Sequence, residues 1–166
     1  GTGRLVGRLT CLDTAQDYGR LADPPERKEY RTAGINPCGE IPLENFEKCN
    51  LVETFPTRAD NLQDYLRTLK FAFLYSKSIT LLPVRWAESN EVMIRNRRIG
   101  VSMSGVAQFA EDHGWSELQR WQDLGYQEIR KWDEIYSSWL GVRESIRVTT
   151  VKPSGTVSLL WGVTPG

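Results

Sequence analysis

The sequence NPCGE at residues 36–40 places a carboxamide, a thiol and a carboxylate within five positions. In an extended segment, alternate residues point to the same side of the chain. Asn36, Cys38 and Glu40 would then face one ligand together. The alternative is a tight turn between two elements, with Cys38 as a small buried side chain.

The charges near Cys38 indicate which chemistry its thiol suits. Glu40 is close in sequence, and no His or Lys adjoins Cys38. A neighbouring carboxylate raises the pKa of a thiol and therefore disfavours the nucleophilic thiolate. A thiol that loses a hydrogen atom instead of a proton leaves an uncharged thiyl radical, which needs no nearby cation. The segment therefore favours radical chemistry over nucleophilic attack.

A second candidate site is the sequence VKPSGT at residues 151–156. It follows a β-branched run and precedes an apolar run that predicts a helix. Backbone N–H groups at a helix start bind phosphate oxygens, and hydroxyl groups and a lysine would add to such a site. The alternative is an ordinary helix N-cap. The residues that would bind phosphate are Lys152, Pro153, Ser154, Gly155 and Thr156.

Other reactive residue types offer less. The three cysteines are an odd number, which argues against a disulfide framework and favours a reducing, cytoplasmic setting. The single histidine, His113, is expected at a solvated helix end, and without a CxxC motif or a second histidine no zinc site is predicted. The basic run at residues 95–98 has three possible roles: a solvated turn, a nucleotide contact or a contact within the chain.

Composition sets the broad class. The chain has 166 residues, with 21 basic and 21 acidic side chains and 40% hydrophobic residues. This is typical of a globular domain. The balanced charge predicts no general attraction to nucleic acid or to membranes, and the apolar runs are too short to span a bilayer.

The elements expected around these sites alternate between strands and helices. Strands are predicted at residues 48–55, 99–103 and 147–151. A helix capped by Asp60 or Asn61 is expected to run towards Pro83, and a capping box at Ser116-x-x-Gln119 is expected to open a long helix. The apolar stripe predicted for this long helix consists of Leu118, Trp121, Leu124, Ile129, Trp132, Tyr136 and Trp139. Residues 13–34 are predicted to be loop or contact surface, and the prolines and glycine of residues 35–47 are expected to exclude a regular element.

Such alternation implies an α/β fold with parallel strand pairing. The start at Gly1 without methionine or signal peptide, and the turn sequence at residues 163–166, suggest an internal piece of a longer chain.

Five segments, in the same order along the chain, resemble the catalytic subunit of ribonucleotide reductases. They are YGRLADP at residues 18–24, NPCGE at 36–40, CNLVETFP at 49–56, RRIGVSMSG at 97–105 and VKPSGT at 151–156. The resemblance implies a partial ten-stranded α/β barrel, with residues 1–166 a fragment of the catalytic domain. In that fold residues 35–47 would form the finger loop and residues 152–156 the phosphate-binding loop.

The resemblance also implies roles for individual residues. Cys38 matches the cysteine whose thiyl radical takes the ribose 3′-hydrogen, and Glu40 matches the base that takes the 3′-hydroxyl proton. Asn36 matches the amide that binds substrate hydroxyls. Cys49 matches one half of the dithiol that reduces the intermediate, and Cys11 matches no functional position.

The spacing of eleven residues between Cys38 and Cys49 resembles the adenosylcobalamin-dependent class. Glu40 argues against the glycyl-radical class, and residues 52–56 resemble the monomeric branch that reduces ribonucleoside triphosphates. This implies adenosylcobalamin as cofactor and thioredoxin or a similar dithiol as reductant. The alternatives are a diphosphate-reducing or diiron-class enzyme, a hydrolase or transferase with Cys38 as nucleophile, and a non-catalytic nucleotide-binding module.

Overall fold

The computed structural model describes residues 31–165. Its elements are the strands β1 (Gly34–Ile35), β2 (Pro42–Leu43), β3 (Leu51–Thr54) and β4 (Gly100–Met103), and the helices α1 (Leu62–Ile79), α2 (Ala87–Asn96), α3 (Val106–His113), α4 (Trp115–Leu140) and α5 (Val157–Trp161). A 3-10 turn, Pro56–Arg58, joins β3 to α1. None of the helices in this part of the chain is long and apolar enough to cross a membrane.

Three chain segments run parallel at the centre of the fold. β3 pairs with β4, with Leu51 opposite Gly100 and Thr54 opposite Met103. Residues 147–150 lie on the other side of β4, where the backbone N–H of Val101 donates to the carbonyl oxygen of Val148 at 3.0 Å. The predicted parallel pairing is confirmed. The strand predicted at 147–151 is reduced to an irregular segment with one bridge, between Val101 and Thr149.

The hydrophobic core lies between this parallel layer and two long helices. Tyr65, Leu69 and Phe73 line the buried face of α1, and Tyr65 stacks on Trp121 of α4 with 5.4 Å between ring centroids. Gly125 of α4 allows the close approach, because a Cβ at this position would lie 2.9 Å from Leu69 Cδ1. The predicted start of α1 is confirmed, since Asn61 Oδ1 accepts from the Asp64 N–H at 3.0 Å.

The predicted apolar stripe of α4 is partly wrong. Leu124 and Trp139 are exposed, by 36% and 72%. The buried face also includes Gly125 and Asp133, which continue the helical spacing that Leu124 interrupts. Apolar periodicity does not reveal the buried face of α4, because this face contains a glycine and a charged residue.

The predicted capping box at Ser116 is also wrong. Helix α4 begins at Trp115 without a side-chain cap, so that Ser116 lies inside its first turn. The reason is Gly114, whose φ of +87° ends α3 and lets the next helix begin at once. His113 is the exposed last residue of α3, as predicted, and its ring stacks on Phe109.

Two short helices, α2 and α3, were not predicted. Neither has a side-chain N-cap, and each buries only a narrow face. The pair β1 and β2 also corrects the expectation that residues 35–47 exclude regular structure. Pro42 is tolerated there because the hydrogen bonds of this hairpin involve Ala33 and Leu43 and, at its loop end, Asn36 and Ile41.

The basic run at residues 95–98 contacts other parts of the chain. The buried Arg98 Nε donates to Glu47 Oε1 at 2.9 Å, and Arg95 pairs with Glu44. Arg97, with a φ of +46°, ends α2 and donates to the carbonyl of Thr80. These contacts fix the chain that leaves the β1–β2 hairpin against the start of β4.

A second buried ion pair joins α1 to α4. Lys77 Nζ lies 2.7 Å from Asp133 Oδ1, and both side chains are fully buried. Lys77 also donates to the Arg143 carbonyl and to Ser145 Oγ, and Asp133 Oδ2 accepts from the Ser145 N–H. Burial lowers the pKa of Lys77, and the carboxylate of Asp133 opposes that shift. Each buried charge is therefore stabilised by the presence of the other.

Replacing one member of this pair is expected to be more damaging than replacing both. Lys77→Met leaves a buried carboxylate without its cation and should lower the free energy of unfolding by about 3 kcal/mol. The double variant Lys77→Met/Asp133→Leu should lose less than the sum of the two single variants. Urea unfolding followed by circular dichroism measures both. A Lys77→Met protein as stable as the wild type would contradict this account.

Candidate functional site

The loop between β1 and β2 is shaped by the side chain of Asn36. Its Oδ1 accepts hydrogen bonds from the backbone N–H groups of Gly39, Glu40 and Ile41, at 3.1, 3.1 and 3.2 Å. Gly39 has a φ of +80°, which favours glycine. Residues 36–41 are therefore a compact turn. The extended conformation considered from the sequence is wrong, and the turn is the alternative that the structure supports.

The turn nevertheless exposes the thiol of Cys38. Cys38 lies at the tip of the loop and its side chain is exposed. The expectation that a turn would bury Cys38 as a small apolar side chain is wrong. Asn36 is buried beneath the tip.

Cys49, just before β3, lies beside this turn. Its Sγ accepts a hydrogen bond from Asn36 Nδ2 at 3.7 Å, so that one amide contacts both the loop backbone and the second thiol. The substrate contact expected of Asn36 would have to use the amide nitrogen, because its oxygen is occupied by the loop.

The surroundings of Cys49 keep its thiol protonated. Partial desolvation and then the charge of Glu40 raise the pKa of Cys49 above its ordinary value. The ammonium of Lys152 and the hydrogen bond from Asn36 oppose the shift, and Cys38 adds a smaller increase. Groups at positions 36, 38, 40 and 152 therefore all act on one sulfur atom.

The loop at residues 152–156 has its own defined conformation. Ser154 is buried with a φ of +50°, and Gly155 and Thr156 are exposed. The backbone N–H of Lys152 donates to Ser102 Oγ at 2.9 Å. Helix α5 follows directly, as the sequence predicted, although it has only five residues.

The two loops meet on one face of the parallel strands. Thr150 Oγ1 donates to the backbone carbonyl of Glu40, which ties the Cys38 loop to the third strand segment. Gly100 makes room there, because a Cβ would lie 2.5 Å from Leu51 Cδ2 and 2.7 Å from Thr150 Cγ2. The opposite face carries Thr54, which contacts Tyr65 in the core. The sequence predicted both loops but not this contact.

Glu40 presents an unsatisfied acceptor at this meeting point. Its Oε2 is buried and has no hydrogen-bond partner in the described part of the chain. A buried polar atom without a partner costs free energy, and such atoms in native structures are commonly explained by a ligand, a water or a catalytic role. The oxygen is therefore suited to accept a proton or a hydrogen bond from a bound molecule.

Several residues that hold the site were missed by the sequence analysis. They are Glu53 of β3, Ser102 of β4, Ser104 just after β4, and Thr150. The sequence offered one signal for these residues. Glu53 is a carboxylate between Val52 and Thr54 in a short strand, so it had to face the side opposite to theirs. Cys11 and the segment at residues 18–24 lie outside the described residues. Within residues 31–165, no group of three His, Cys, Asp or Glu side chains is close enough to hold a metal ion.

Comparison with known proteins gives close relatives of this chain. The chain is 50% identical over 155 residues to an adenosylcobalamin-dependent ribonucleoside-triphosphate reductase of Euglena gracilis, covering 93% of the chain and 21% of that protein. It is 49% identical over 159 residues to a probable enzyme of the same name from Dictyostelium discoideum, covering 95% and 21%. With the enzyme of Lactobacillus leichmannii it shares 36% identity, covering 95% of the chain and 25% of that protein. No model of a known protein family matches the chain.

A solved structure agrees with these sequences. The fold matches a crystal structure of a B-12 dependent (class II) ribonucleotide reductase with a TM-score of 0.76 and 34% identity. The match covers 82% of this chain and 23% of the other. The α/β fold class predicted from the sequence is thereby confirmed.

Over most of its length the chain is thus similar to ribonucleotide reductases of class II, and the relatives given above are named as adenosylcobalamin-dependent ribonucleoside-triphosphate reductases. It spans about a fifth of the length of the first two of these relatives.

The charges around Cys49 give a test of the site that is independent of turnover. Because only the thiolate is alkylated, a raised pKa slows the reaction of Cys49 with iodoacetamide near neutral pH. Glu40→Gln removes a charge that raises this pKa, so Cys49 should react faster at pH 8. Lys152→Gln removes a charge that lowers it, so Cys49 should react more slowly. Mass spectrometry of the Cys49 peptide across a pH series measures both, and opposite directions would refute the described contacts.

Proposed function

We propose that this chain supplies the radical cysteine, the proton acceptor and one reducing thiol of an enzyme that converts ribonucleoside triphosphates to 2′-deoxyribonucleotides. The observation that carries the proposal is the arrangement around Cys49. Asn36 contacts its sulfur, and Cys38, Glu40 and Lys152 all act on it electrostatically. The residues to which the family resemblance gives a role therefore lie together in the fold. They are Asn36, Cys38, Glu40, Cys49 and Lys152.

Cys38 is proposed to act as the hydrogen-atom acceptor. Its thiyl form takes the 3′-hydrogen of the ribose and later returns a hydrogen atom to the same carbon. An exposed sulfur at the tip of a turn can reach a bound nucleotide, and a turn fixed by three hydrogen bonds limits where the radical can react.

Glu40 is proposed to accept the proton of the 3′-hydroxyl group. Its buried, unpartnered Oε2 suits that task. Removing this proton promotes departure of the 2′-hydroxyl group, which leaves as water after protonation. The neighbouring protonated thiol of Cys49 provides a donor on the same side of the turn.

Cys49 and a second thiol are proposed to reduce the resulting intermediate. The pair gives up two electrons and two protons and ends as a disulfide, and thioredoxin or a similar dithiol then restores it. Because Glu40 and desolvation raise the pKa of Cys49, the thiol keeps its proton until the 2′-hydroxyl group leaves, and that proton is one of the two that the pair supplies. The partner thiol belongs to a part of the enzyme outside residues 31–165.

Residues 152–156 are proposed to bind the substrate phosphates. The exposed Gly155 and Thr156 would present backbone N–H groups, and Lys152 and Ser154 would add a cation and a fixed turn. The loop is joined through Thr150 to the turn that carries Cys38 and Glu40. A nucleotide held by its phosphates would thus have its ribose near the thiols.

Adenosylcobalamin is proposed as the cofactor because the relatives are named as dependent on it. When bound, it supplies the radical that takes the hydrogen atom of Cys38. The exposure of Cys38 fits this requirement, since an external radical can reach the sulfur. The described residues that we assign to the site bind the nucleotide and hold the thiols, and none of them is assigned to the corrin ring.

The larger architecture is proposed to be the ten-stranded α/β barrel. In it the whole chain would be part of the catalytic domain, residues 35–47 would be the finger loop, and the protein would act as a monomer in the cytoplasm. The parallel alignment of β3, β4 and residues 147–150 supports this arrangement. The alternative of Cys38 as a nucleophile is not favoured, because it needs a base near the thiol, and the single histidine of the sequence, His113, lies at an exposed helix end and stacks on Phe109.

Replacing the radical cysteine should stop turnover without preventing binding. We expect Cys38→Ser in the intact protein to form no deoxynucleotide with adenosylcobalamin and a dithiol, while the affinity for ribonucleoside triphosphate is retained. Cys11→Ser is the matched control and should leave turnover unchanged. Product formation by Cys38→Ser would refute the assignment, and better turnover of diphosphates by the wild type would favour the diphosphate-reducing alternative.

Cys49→Ser should have a different consequence. Because the first hydrogen abstraction does not use this thiol, the variant is expected to release at most about one product per enzyme molecule, with no recovery when thioredoxin is added. Rapid-quench measurement of deoxynucleotide against enzyme concentration tests this. Sustained turnover by Cys49→Ser would remove Cys49 from the reducing pair.

A further inference from the structure

Glu53 is a nearly buried carboxylate that the proposed reaction does not use. It lies in β3 opposite Ser102 of β4, and its side chain is only 6% exposed. Burying a carboxylate is costly unless its oxygens are well satisfied. In this protein both oxygens have partners, and these partners come from different parts of the chain.

One oxygen of Glu53 is fixed by the strand layer and the other by the 152–156 loop. Oε1 accepts from Ser104 Oγ at 2.8 Å. Oε2 accepts from Ser154 Oγ in a short hydrogen bond, and Lys152 Nζ lies 3.7 Å from the same oxygen. Glu53 thereby connects the end of β4 to two residues of the loop.

The conformation of Ser154 needs such a partner. Ser154 has a φ of +50°, a backbone conformation that a non-glycine residue adopts only at a cost. It is buried, and its carbonyl accepts from the Ser158 N–H at 3.0 Å. A hydrogen bond to a charged carboxylate is stronger than one to a neutral group, so Glu53 offsets the cost. The exposed Gly155 and Thr156 follow directly and take their orientation from Ser154.

We propose that Glu53 is a positioning residue for nucleotide binding, which holds Ser154 in its left-handed conformation and so orients the exposed backbone of residues 155–156 towards a phosphate group. This inference rests on the proposed function, because it assumes that residues 152–156 bind the substrate. Glu53 does not contact the nucleotide. It acts through Ser154 and Lys152.

Electrostatics alone would make Glu53 harmful to this site. A carboxylate beside a phosphate-binding loop repels the ligand and pairs with the nearby ammonium of Lys152. If Glu53 acted only by its charge, its neutralisation would strengthen nucleotide binding. If it positions the loop, neutralisation weakens binding. The sign of the change therefore separates the two roles.

The test measures affinity for a ribonucleoside triphosphate by calorimetry in the intact protein carrying Cys38→Ser, so that the ligand is not consumed. Glu53→Gln keeps the shape of the side chain but removes its charge. We expect the dissociation constant to rise roughly tenfold, the scale of one hydrogen bond to a charged group. Ser154→Ala removes the same contact from the loop side and should have a similar effect.

Two further variants test whether a change in affinity comes from the contact between Glu53 and Ser154. Because both substitutions act on the same contact, which Glu53→Gln weakens and Ser154→Ala removes, the double variant Glu53→Gln/Ser154→Ala should again bind roughly tenfold more weakly, not a hundredfold. Ile129→Val, in the buried face of α4, is the control for general destabilisation and should leave affinity unchanged. Backbone amide exchange at residues 155–156 should become faster in Glu53→Gln and not in Ile129→Val.

The outcomes separate the inference from the proposed function. If the Cys38→Ser parent binds the triphosphate and Glu53→Gln binds equally well or more tightly, the positioning role is wrong and the proposed function stands. Additive losses in the double variant would also overturn it. If the parent does not bind the triphosphate, both fall. Should Glu53→Gln fail to fold, Ser154→Ala and its amide exchange decide the question alone.

Discussion

The alternation of side chains along three parallel segments is the constraint on which the site depends. In β3, Val52 and Thr54 alternate with Glu53, and Thr54 contacts Tyr65 in the core while Glu53 faces the other way. Ser102, Ser104 and Thr150 lie on the same face as Glu53. One face of the layer is therefore apolar and packed against helices, and the other is polar and anchors both loops. A shift in register by one residue would exchange the two faces.

The side-chain amide of Asn36 holds the loop between β1 and β2 in its conformation. Its oxygen is used entirely within the turn, and its nitrogen faces Cys49. These hydrogen bonds lie within the chain and fix the backbone that carries Cys38 and Glu40. Preorganisation of this kind reduces the entropy that binding must overcome.

The sequence was most informative where a signal is local. The strands β3 and β4, the cap of α1 and the existence of α4 follow from periodicity and capping. The start of α4 and its buried face did not, because Gly114 ends one helix and begins the next, and Gly125 and Asp133 occupy buried positions. The motif residues were identified by resemblance, but the contacts of Glu53, Arg98 and Lys77 join residues more than fifty positions apart. No sequence rule indicates which carboxylate a buried cation will choose.

Helix α5 is attached at both of its ends. It begins at the 152–156 loop, and at its other end Arg58 donates to the carbonyls of Trp161 and Gly162 while Phe55 stacks on the Trp161 ring at 5.0 Å. Phe55 and Arg58 follow β3 directly, and β3 itself begins two residues after Cys49. A rigid displacement of α5 must either break these contacts or pull the end of β3 with it. The 152–156 loop and the strand next to Cys49 are thus mechanically linked through α5.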